Sequence, residues 1–186
     1  MKILVVDLET TGLYPKWDII VEIGIALVDT ETKKIDLLFD EVVKHWKFNG
    51  DKMKNSWVFK NTSLTVEDVE AANSLKYYQT EIQNLFDTYP MTAYNKQFDI
   101  RFLTAAGFKM NDVKCLMKTA KTYSKLKNKY GGVKTPSVEE IYNQFFMKDG
   151  EVYVEEHRAG SDALDEAKIL LHMVDLKDKR KKVITE

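Results

Sequence analysis

Apolar positions in the first part of the chain recur as dense β-branched runs, which predict strands. The run Ile3–Val6 is followed by Gly12 and Pro15, and this favours a buried strand over a helix. A second strand is predicted over Asp18–Asp29, in a hairpin with the first, and a third over Ile35–Val43. The amino-terminal part of the chain is therefore expected to be mainly β-sheet.

Helical spacing of apolar residues takes over further along the chain. It predicts helices over Asn73–Thr88 and about Gln97–Ala106, with a short strand at Met91–Tyr94 between them. Another strand is predicted at Val113–Met117. A capping box at Ser137–Glu140 then indicates the start of a further helix. Strands followed by alternating strands and helices predict an α/β fold.

A last helix is predicted after the segment His157–Ala163, with apolar positions that continue to Val174. From Asp175 onward the residues are mostly charged. We therefore expect one domain over residues 1–174 and a charged carboxyl-terminal tail over residues 175–186.

The composition fits one soluble globular domain, with 44% hydrophobic and 31% charged residues. No apolar run approaches the ~20 residues of a membrane span. Acidic residues follow the opening run Met1–Val6 where a signal peptide would have its cleavage site, so we expect a cytoplasmic protein. The single cysteine, Cys115, excludes an internal disulfide and a cysteine zinc site, and it is expected in the core.

The charge balance restricts the kind of nucleic-acid contact that the chain could make. The 28 basic and 29 acidic residues give a formal net charge of −1. A tight duplex-binding protein would have a broad positive field instead. Any contact with nucleic acid is therefore expected to be local.

Acidic residues lie at three edges of the predicted elements. Asp7 and Glu9 are two positions apart at the end of the first strand, so their side chains point to the same face. Asp99 follows the strand at Met91–Tyr94, and Asp162 lies at the start of the last helix. Each of these alone is consistent with an ordinary turn or cap residue. Together in one pocket they would need divalent cations or bound protons to offset their repulsion.

Phosphodiester hydrolysis is a reaction that uses divalent cations held by carboxylates. A pair of divalent cations holds the attacking and departing oxygens and offsets the charge between them. A base must also take a proton from the attacking water, and histidine titrates near neutral pH. His157, five residues before Asp162, is the candidate base.

Three motifs resemble those of a known nuclease family in their order and spacing. They are Asp7-Leu-Glu9-Thr-Thr-Gly12, Tyr94-Asn95-x-x-Phe98-Asp99-x-x-Phe102-Leu103, and His157-Arg-Ala159-x-x-Asp162-Ala163. The resemblance extends from Met1 to about Leu171 and includes the hairpin segment Ile19–Gly24. In these features the chain is similar to the DnaQ-like 3′-to-5′ exonucleases, in the histidine-containing branch of the DEDD superfamily.

The resemblance implies a ribonuclease H-like α/β fold, with a five-stranded mixed β-sheet flanked by α-helices. It implies that Asp7, Glu9, Asp99 and Asp162 hold a pair of Mg²⁺ or Mn²⁺ ions and that His157 is the general base. It also implies substrate contacts near the 3′ end. The residues expected to make these contacts are Thr10, Thr11, Gly12, Leu13, Asn95 and Phe98, although Phe98 is also expected in the core.

The predicted function is a metal-dependent 3′-to-5′ exonuclease that releases nucleoside 5′-monophosphates from a single-stranded or frayed 3′ end. DNA is the preferred substrate in this interpretation. The alternatives are an exoribonuclease of the oligoribonuclease or RNase T type and a non-catalytic nucleic-acid-binding protein of the same fold. An aspartyl phosphatase is disfavoured because it would need aspartate at Glu9. A polymerase partner and a homodimer both remain open.

Some polar residues outside the motifs have simpler interpretations. The basic stretch Lys118–Lys129 is as consistent with a solvated helix face as with a grip on a nucleic-acid backbone. Asp165 and Glu166 are expected to face solvent. His45 and His172 are expected at the surface or in packing.

Overall fold

A four-stranded mixed sheet forms the centre of the protein. The computed structural model describes the backbone of residues 1–185 and the side chains of residues 1–178. The strands are β1 (Lys2–Thr10), β2 (Ile20–Asp29), β3 (Lys34–Val42) and β4 (Met91–Thr92), in the spatial order β3-β2-β1-β4. Strand β2 pairs antiparallel with both β1 and β3, whereas β4 pairs parallel with β1.

Eight helices within residues 1–185 surround this sheet. They are α1 (Gly50–Met53), α2 (Trp57–Asn61), α3 (Val66–Ala71), α4 (Gln79–Thr88), α5 (Lys96–Ala105), α6 (Leu116–Lys121), α7 (Val138–Phe146) and α8 (Ala159–Thr185). The predicted fold class, a mixed sheet flanked by helices, is confirmed. None of these helices within the described residues combines the length and the apolar character needed to cross a lipid bilayer.

The alternation of side chains along β1 decides which helix covers the acidic residues. Leu4, Val6 and Leu8 pack in the hydrophobic cluster that contains α4 and α5, whereas Ile3 and Val5 pack in the cluster that contains α7 and α8. Side chains two apart on a strand share a face. Asp7 and Glu9 therefore lie on the face that α8 covers.

The fifth strand, predicted at Val113–Met117, does not form in the described part of the chain. A single parallel bridge joins Met91 to Asp112, and α6 begins soon afterwards at Leu116. The amide of Leu116 already donates to the carbonyl of Ala93 at 3.2 Å. The backbone groups that would extend a strand pair are thus used by the entry to a helix.

Helix α4 begins later than the apolar spacing predicts. The predicted span was Asn73–Thr88, but the helix starts at Gln79. Leu75 and Tyr78 are buried as expected, yet they lie before the helix. The amide of Leu75 donates to the carbonyl of Lys44 at 2.9 Å next to a bridge between Lys44 and Ser74, and the residues from Leu75 to Tyr78 form turns before the helix. The spacing predicted burial correctly and the helix boundary wrongly.

The last two helices begin where the sequence predicts. The capping box of α7 is complete, because the Ser137 hydroxyl accepts the Glu140 amide and the Glu140 carboxylate accepts the Ser137 amide. Helix α8 begins at Ala159 and runs to Thr185. The division into a domain over residues 1–174 and a tail over residues 175–186 stays a prediction. Residue 186 and the side chains of residues 179–186 lie outside the described part of the chain.

The start of α8 lies directly against β2 because Gly24 has no side chain. A Cβ atom at Gly24 would come within 1.9 Å of the backbone oxygen of Ala159 and 2.6 Å of the amide nitrogen of Gly160. Gly24 is also the residue of β2 that pairs with Asp7 of β1. This close approach brings the first turn of α8 to the acidic end of β1.

Replacing Gly24 with alanine should therefore force α8 away from the sheet. We expect Gly24→Ala to lower the free energy of unfolding by about 3 kcal/mol, the upper range for overpacking. For a chain of this size, each ~1 kcal/mol corresponds to ~2–4 °C in the melting temperature. A thermal melt by circular dichroism measures the change. Gly132→Ala is the matched control, because a Cβ there meets only the side chain of Asn128, at 3.1 Å or more, and an equal loss in both variants would contradict the prediction.

Candidate active site

The four predicted acidic ligands come together at one edge of the sheet. Asp7 and Glu9 extend from the end of β1, Asp99 from the first turn of α5, and Asp162 from the first turn of α8. Burial raises the pKa of Asp7 well above its usual range, and the charges of Glu166, Asp99, Glu9 and Asp162 raise it further. The side chains therefore lie close enough for their charges to interact.

Glu9, His157 and Asp162 form the tightest group in this site. One carboxylate oxygen or ring nitrogen from each lies within 4.8 Å of the others. Burial, followed by the charge of Asp162, raises the pKa of Glu9 to about 8. Burial is also the main cause that raises the pKa of Asp162 to about 8. Carboxylate oxygens and an imidazole nitrogen at this separation are suitable ligands for a divalent cation.

One oxygen of Asp162 has no partner in the part of the chain that the structure describes. Its Oδ1 atom is buried and has no hydrogen-bond partner among the described residues. Buried polar atoms are normally paired, and an exception calls for an explanation such as a bound ion. The residues present therefore fit a metal site in their donor atoms and in this unpaired oxygen.

The backbone at His157 is in the left-handed region, with φ of 54°. Only glycine adopts this region without cost, so neighbouring contacts must hold the residue there. The imidazole ring meets the indole ring of Trp57 edge-to-face, with 5.0 Å between the ring centroids. The next residue in the chain supplies a second anchor.

That anchor is an ion pair between Arg158 and Glu22 of β2. The guanidinium Nε donates to both carboxylate oxygens of Glu22, at 2.9 and 3.1 Å, and Glu22 also accepts the amide of Ala159 at 3.1 Å. Glu22 is only 1% exposed and lies opposite Glu9 in the strand register. We call this pair the Glu22–Arg158 clamp. It ties the loop that carries His157 to the strand beside the acidic residues.

Glu166 is a site residue that the sequence analysis missed. It was expected in solvent, but its side chain is 2% exposed and its Oε2 atom accepts the amide of Tyr94 at 2.9 Å. Burial and the charge of Asp99 raise its pKa well above the usual range. The signal was present in the sequence, because Glu166 is four residues after Asp162 and such residues share one face of a helix.

Glu155 is a second acidic residue that the sequence analysis did not single out. Burial, with the charges of Glu139 and Asp165, raises its pKa to about 7. Its own charge raises the pKa of Asp162 in turn. Asp165 was expected in solvent, but it is half-buried and accepts the hydroxyl of Tyr153 at 2.7 Å. The loop before His157 therefore adds negative charge to the site.

The residues predicted to contact the terminal nucleotide shape the turn after β1. The hydroxyl of Thr10 donates to the carbonyl of Gly12 at 2.7 Å. Thr11 is buried and bonds twice to Ile19, through its amide at 3.0 Å and through its hydroxyl at 3.1 Å. Leu13 is left exposed at the surface. The turn is thus held from inside while Leu13 faces outward.

The remaining predicted contacts lie on α5. Asn95 is exposed at the residue before the helix, and Phe98 is half-buried against Phe102, with 4.9 Å between the ring centroids. Core packing of Phe98 agrees with its helical spacing, and its contact with substrate stays a prediction. The lysines of Lys118–Lys129 are exposed on α6 and the loop that follows, which leaves both interpretations of that stretch open.

Comparison with solved structures places this fold among nucleases. Similar chains include a 3′-exonuclease that recognises the 3′ end of a histone mRNA stem-loop, with a TM-score of 0.69 and 16% identity over 93% of this chain and 63% of that chain. The nuclease domain of 3′hExo, a DEDDh family member bound to rAMP, has a TM-score of 0.65 and 18% identity over 94% of this chain and 92% of that one. E. coli exonuclease I with a dA16 oligonucleotide has a TM-score of 0.63 and 16% identity over 92% of this chain and 40% of that one.

At these identities the likeness shows the fold. The chain spans slightly less than two thirds of the first three similar chains. No curated protein matches the chain by sequence. A family model described as "RNase_T: Exonuclease" matches residues 4–170, which is most of the chain and includes all three motifs. The resemblance to the DnaQ-like DEDD exonucleases is thereby confirmed, and the chain belongs to the exonuclease family that this model describes.

Proposed function

We propose that this protein is a metal-dependent 3′-to-5′ exonuclease that removes nucleoside 5′-monophosphates from a single-stranded or frayed 3′ end. The observation that carries the proposal is the grouping of Glu9, His157 and Asp162 within 4.8 Å, beside the buried carboxylates of Asp7 and Asp99. This arrangement combines ligands for hard cations with a base for proton transfer.

Asp7, Glu9, Asp99 and Asp162 would hold a pair of divalent cations, Mg²⁺ or Mn²⁺. When bound, such cations polarise the phosphodiester and offset the negative charge that develops during its hydrolysis. Support comes from the unpaired buried oxygen of Asp162 and from the raised pKa values of the acidic residues. Carboxylates that repel each other without a cation are the ones that a cation binds well.

His157 would act as the general base. Its ring takes a proton from the attacking water, whose oxygen then forms a bond to the phosphorus of the terminal nucleotide. The bond from that phosphorus to the 3′ oxygen of the preceding nucleotide breaks, that oxygen takes up a proton from solvent to become the new 3′-hydroxyl, and a 5′-monophosphate leaves. The carboxylates of Glu9 and Asp162 stabilise the positive charge that the ring has gained. Because His157 is half-exposed, the ring can then release its proton to solvent.

The sugar of the substrate distinguishes two versions of the proposal. Structures of similar fold include a 3′-exonuclease with a histone mRNA stem-loop and E. coli exonuclease I with a dA16 oligonucleotide. We propose DNA as the preferred substrate, and an RNA-directed exonuclease with the same site is the alternative. Discrimination depends on whether a contact reads the 2′-hydroxyl.

Digestion of labelled oligonucleotides tests the reaction. Wild type with Mg²⁺ or Mn²⁺ should shorten 5′-labelled single-stranded DNA or RNA stepwise from the 3′ end. His157→Ala should lower kcat by about 10²- to 10⁴-fold, the usual contribution of a general base. Asp7→Ala should abolish cleavage. Asp149→Ala, at an exposed turn, is the control and should behave as wild type.

Two results of this digestion would count against the proposal, and a further comparison decides the substrate. Absence of cleavage of every oligonucleotide by wild type would favour the non-catalytic binding protein. Unchanged cleavage by Asp7→Ala would show that the site is elsewhere. The relative rates on DNA and RNA of the same sequence decide the substrate.

Thermal melts with and without metal test the cation site. Mn²⁺ should raise the melting temperature of wild type and should have little effect on Asp162→Asn. In EDTA at pH 8, Asp162→Asn should melt higher than wild type by at least ~2–4 °C, which corresponds to ~1 kcal/mol for this chain length. The reason is that the raised pKa of Asp162, about 8, makes the folded state lose stability as the pH rises from the ordinary carboxyl value toward 8.

The same pKa predicts that the gain of Asp162→Asn disappears below about pH 3, where the wild-type carboxyl is protonated in both the folded and unfolded states. Asp149→Asn is again the matched control and should show neither effect. A wild type that Mn²⁺ does not stabilise would contradict the metal site.

The Glu22–Arg158 clamp leads to a separate prediction about kcat and stability. Glu22→Gln keeps the shape of the side chain but removes the charge that holds Arg158, so the His157 loop should lose its position. We expect kcat to fall by about 10- to 100-fold, as for other small misplacements of catalytic groups, with a smaller change in KM. Loss of one partner of a buried ion pair should also lower the free energy of unfolding, by up to ~3 kcal/mol.

Steady-state kinetics beside thermal melts separate the two effects of Glu22→Gln. Glu140→Gln is a matched control, since Glu140 also pairs with a base, Lys134, and accepts a backbone amide at the start of a helix. It should leave kcat unchanged. A Glu22→Gln variant with normal kcat and a lower melting temperature would show that the clamp has a structural role only.

A further inference from the structure

The loop between β1 and β2 has large apolar side chains at its surface. Leu13, Tyr14 and Trp17 are all exposed, and Trp17 is 70% exposed. The ammonium group of Lys16 lies 4.7 Å from the centroid of the Trp17 ring. A tryptophan side chain that is mostly in solvent contributes little to the stability of the hydrophobic core. This loop continues directly from the turn predicted to contact the terminal nucleotide.

A second exposed tryptophan with a lysine lies in the segment after β3. Trp46 is 84% exposed, and the ammonium group of Lys47 lies 5.2 Å from the centroid of its ring. The ring of His45 lies beside it, with 5.6 Å between centroids. Each segment thus presents an aromatic face and a positive charge together.

The two segments meet above the carboxyl-terminal end of α5. A small cavity of about 40 Å³ is lined from both sides, by Pro15 and Asp18 of the first loop and by His45 and Lys47 of the second. A larger cavity of about 630 Å³ continues past Trp46. Ala105 and Ala106, at the end of α5, lie in the wall of both. We call the surface formed by the Trp17 loop, the Trp46 loop and the end of α5 the tryptophan groove.

The charge of the tryptophan groove is opposite to that of the acidic site. The bases in the walls of the two cavities include Lys44, Lys47 and Lys76. Asp18 is the one acidic residue among those that line them, and its carboxylate already accepts the amide of Tyr14 at 2.9 Å. In a chain of net charge −1, this is a local positive surface. It complements a polyanion.

The tryptophan groove is also within reach of a strand whose 3′ end lies at the acidic site. Asp99 is in the first turn of α5, and Ala106 follows its last residue. At ~1.5 Å per residue, the helix separates the two by about 10 Å. A chain of a few nucleotides spans that distance.

We propose that the tryptophan groove binds the part of a single-stranded nucleic acid that lies upstream of the 3′ end. Bases stack on Trp17 and Trp46, while the neighbouring Lys16 and Lys47 contact phosphates. This inference rests on the proposed exonuclease function for the position of the 3′ end. A base paired in a duplex has no free face for an isolated indole, so stacking of this kind selects single strands.

Binding of a fluorescein-labelled oligothymidylate tests the groove without catalysis. Fluorescence anisotropy in EDTA compares wild type with Trp17→Ala, Trp46→Ala and the double variant, on strands of three and of twelve nucleotides. Each single substitution should raise the Kd for the twelve-nucleotide strand by about tenfold, within the range for one stacked base. The Kd for the three-nucleotide strand should change less, because most of its nucleotides are used in spanning the roughly 10 Å between the acidic site and the groove.

Tyr130→Ala is the matched control. Tyr130 is 83% exposed and has the ammonium group of Lys129 at 5.0 Å from its ring, but it lies in the segment between α6 and α7, which contributes no residue to the walls of the two cavities. It should bind the twelve-nucleotide strand as wild type does. Unchanged binding by the double tryptophan variant would overturn the proposal, and so would an equal loss in Tyr130→Ala.

Two further measurements distinguish failure of the groove proposal from failure of the proposed exonuclease function. Lys16→Gln with Lys47→Gln should weaken binding and reduce its dependence on salt without removing a ring. This pair tests the groove even if a tryptophan variant melts at a lower temperature. If wild type binds the strand in the groove but cleaves no oligonucleotide with Mg²⁺ or Mn²⁺, the proposed function fails and the groove stands. If it cleaves normally while the variants keep their KM for long strands, the groove fails and the function stands.

Discussion

Repulsion among buried carboxylates is the constraint on which the rest of the structure depends. Strand β1 and helices α5 and α8 bring five carboxylates into one site that is poorly accessible to water, namely those of Asp7, Glu9, Asp99, Asp162 and Glu166. Both desolvation and mutual charge oppose this arrangement. The packing around it must therefore be strong enough to hold the acidic residues together, and the close approach of α8 to β2 at Gly24 is part of that packing.

The protein compensates this repulsion in two different ways. At the second strand, the negative charge of Glu22 is paired within the chain by Arg158 and by the amide of Ala159. At the centre, one buried oxygen of Asp162 has no hydrogen-bond partner among the described residues, and burial raises the pKa values of Glu9 and Asp162, which favours their protonated forms when no cation is bound. A paired carboxylate gives rigidity, whereas an unpaired one keeps its affinity for a cation. Folding stability is thus reduced at the proposed metal site, where the carboxylates must stay available for cations.

The distribution of charge also separates the proposed reaction site from the proposed binding groove. A strongly acidic centre attracts cations but repels the phosphates of a nucleic acid, and the chain as a whole has almost no net charge to offset that. If the proposed function holds, contacts with the upstream part of the substrate would lie away from the centre. The exposed tryptophans with their lysines occupy such a position, next to the turn after β1 and at the far end of α5. Aromatic stacking adds attraction that does not depend on net charge.

Local patterns in the sequence were sufficient for the α/β class, the three long strands and the capping box at Ser137, whereas the four acidic residues with His157 were proposed as one site from the order of three motifs. The class, the strands and the capping box depend on neighbours within a few positions, where period and residue type carry the information. Tertiary structure alone decided the burial of Glu166 and the pairing of Glu22 with Arg158. These depend on which segments meet, since the partners are 72 and 136 residues apart in the chain. Contacts between such distant segments also replaced the fifth strand and delayed the start of α4, because a backbone amide bonded elsewhere cannot follow its local preference.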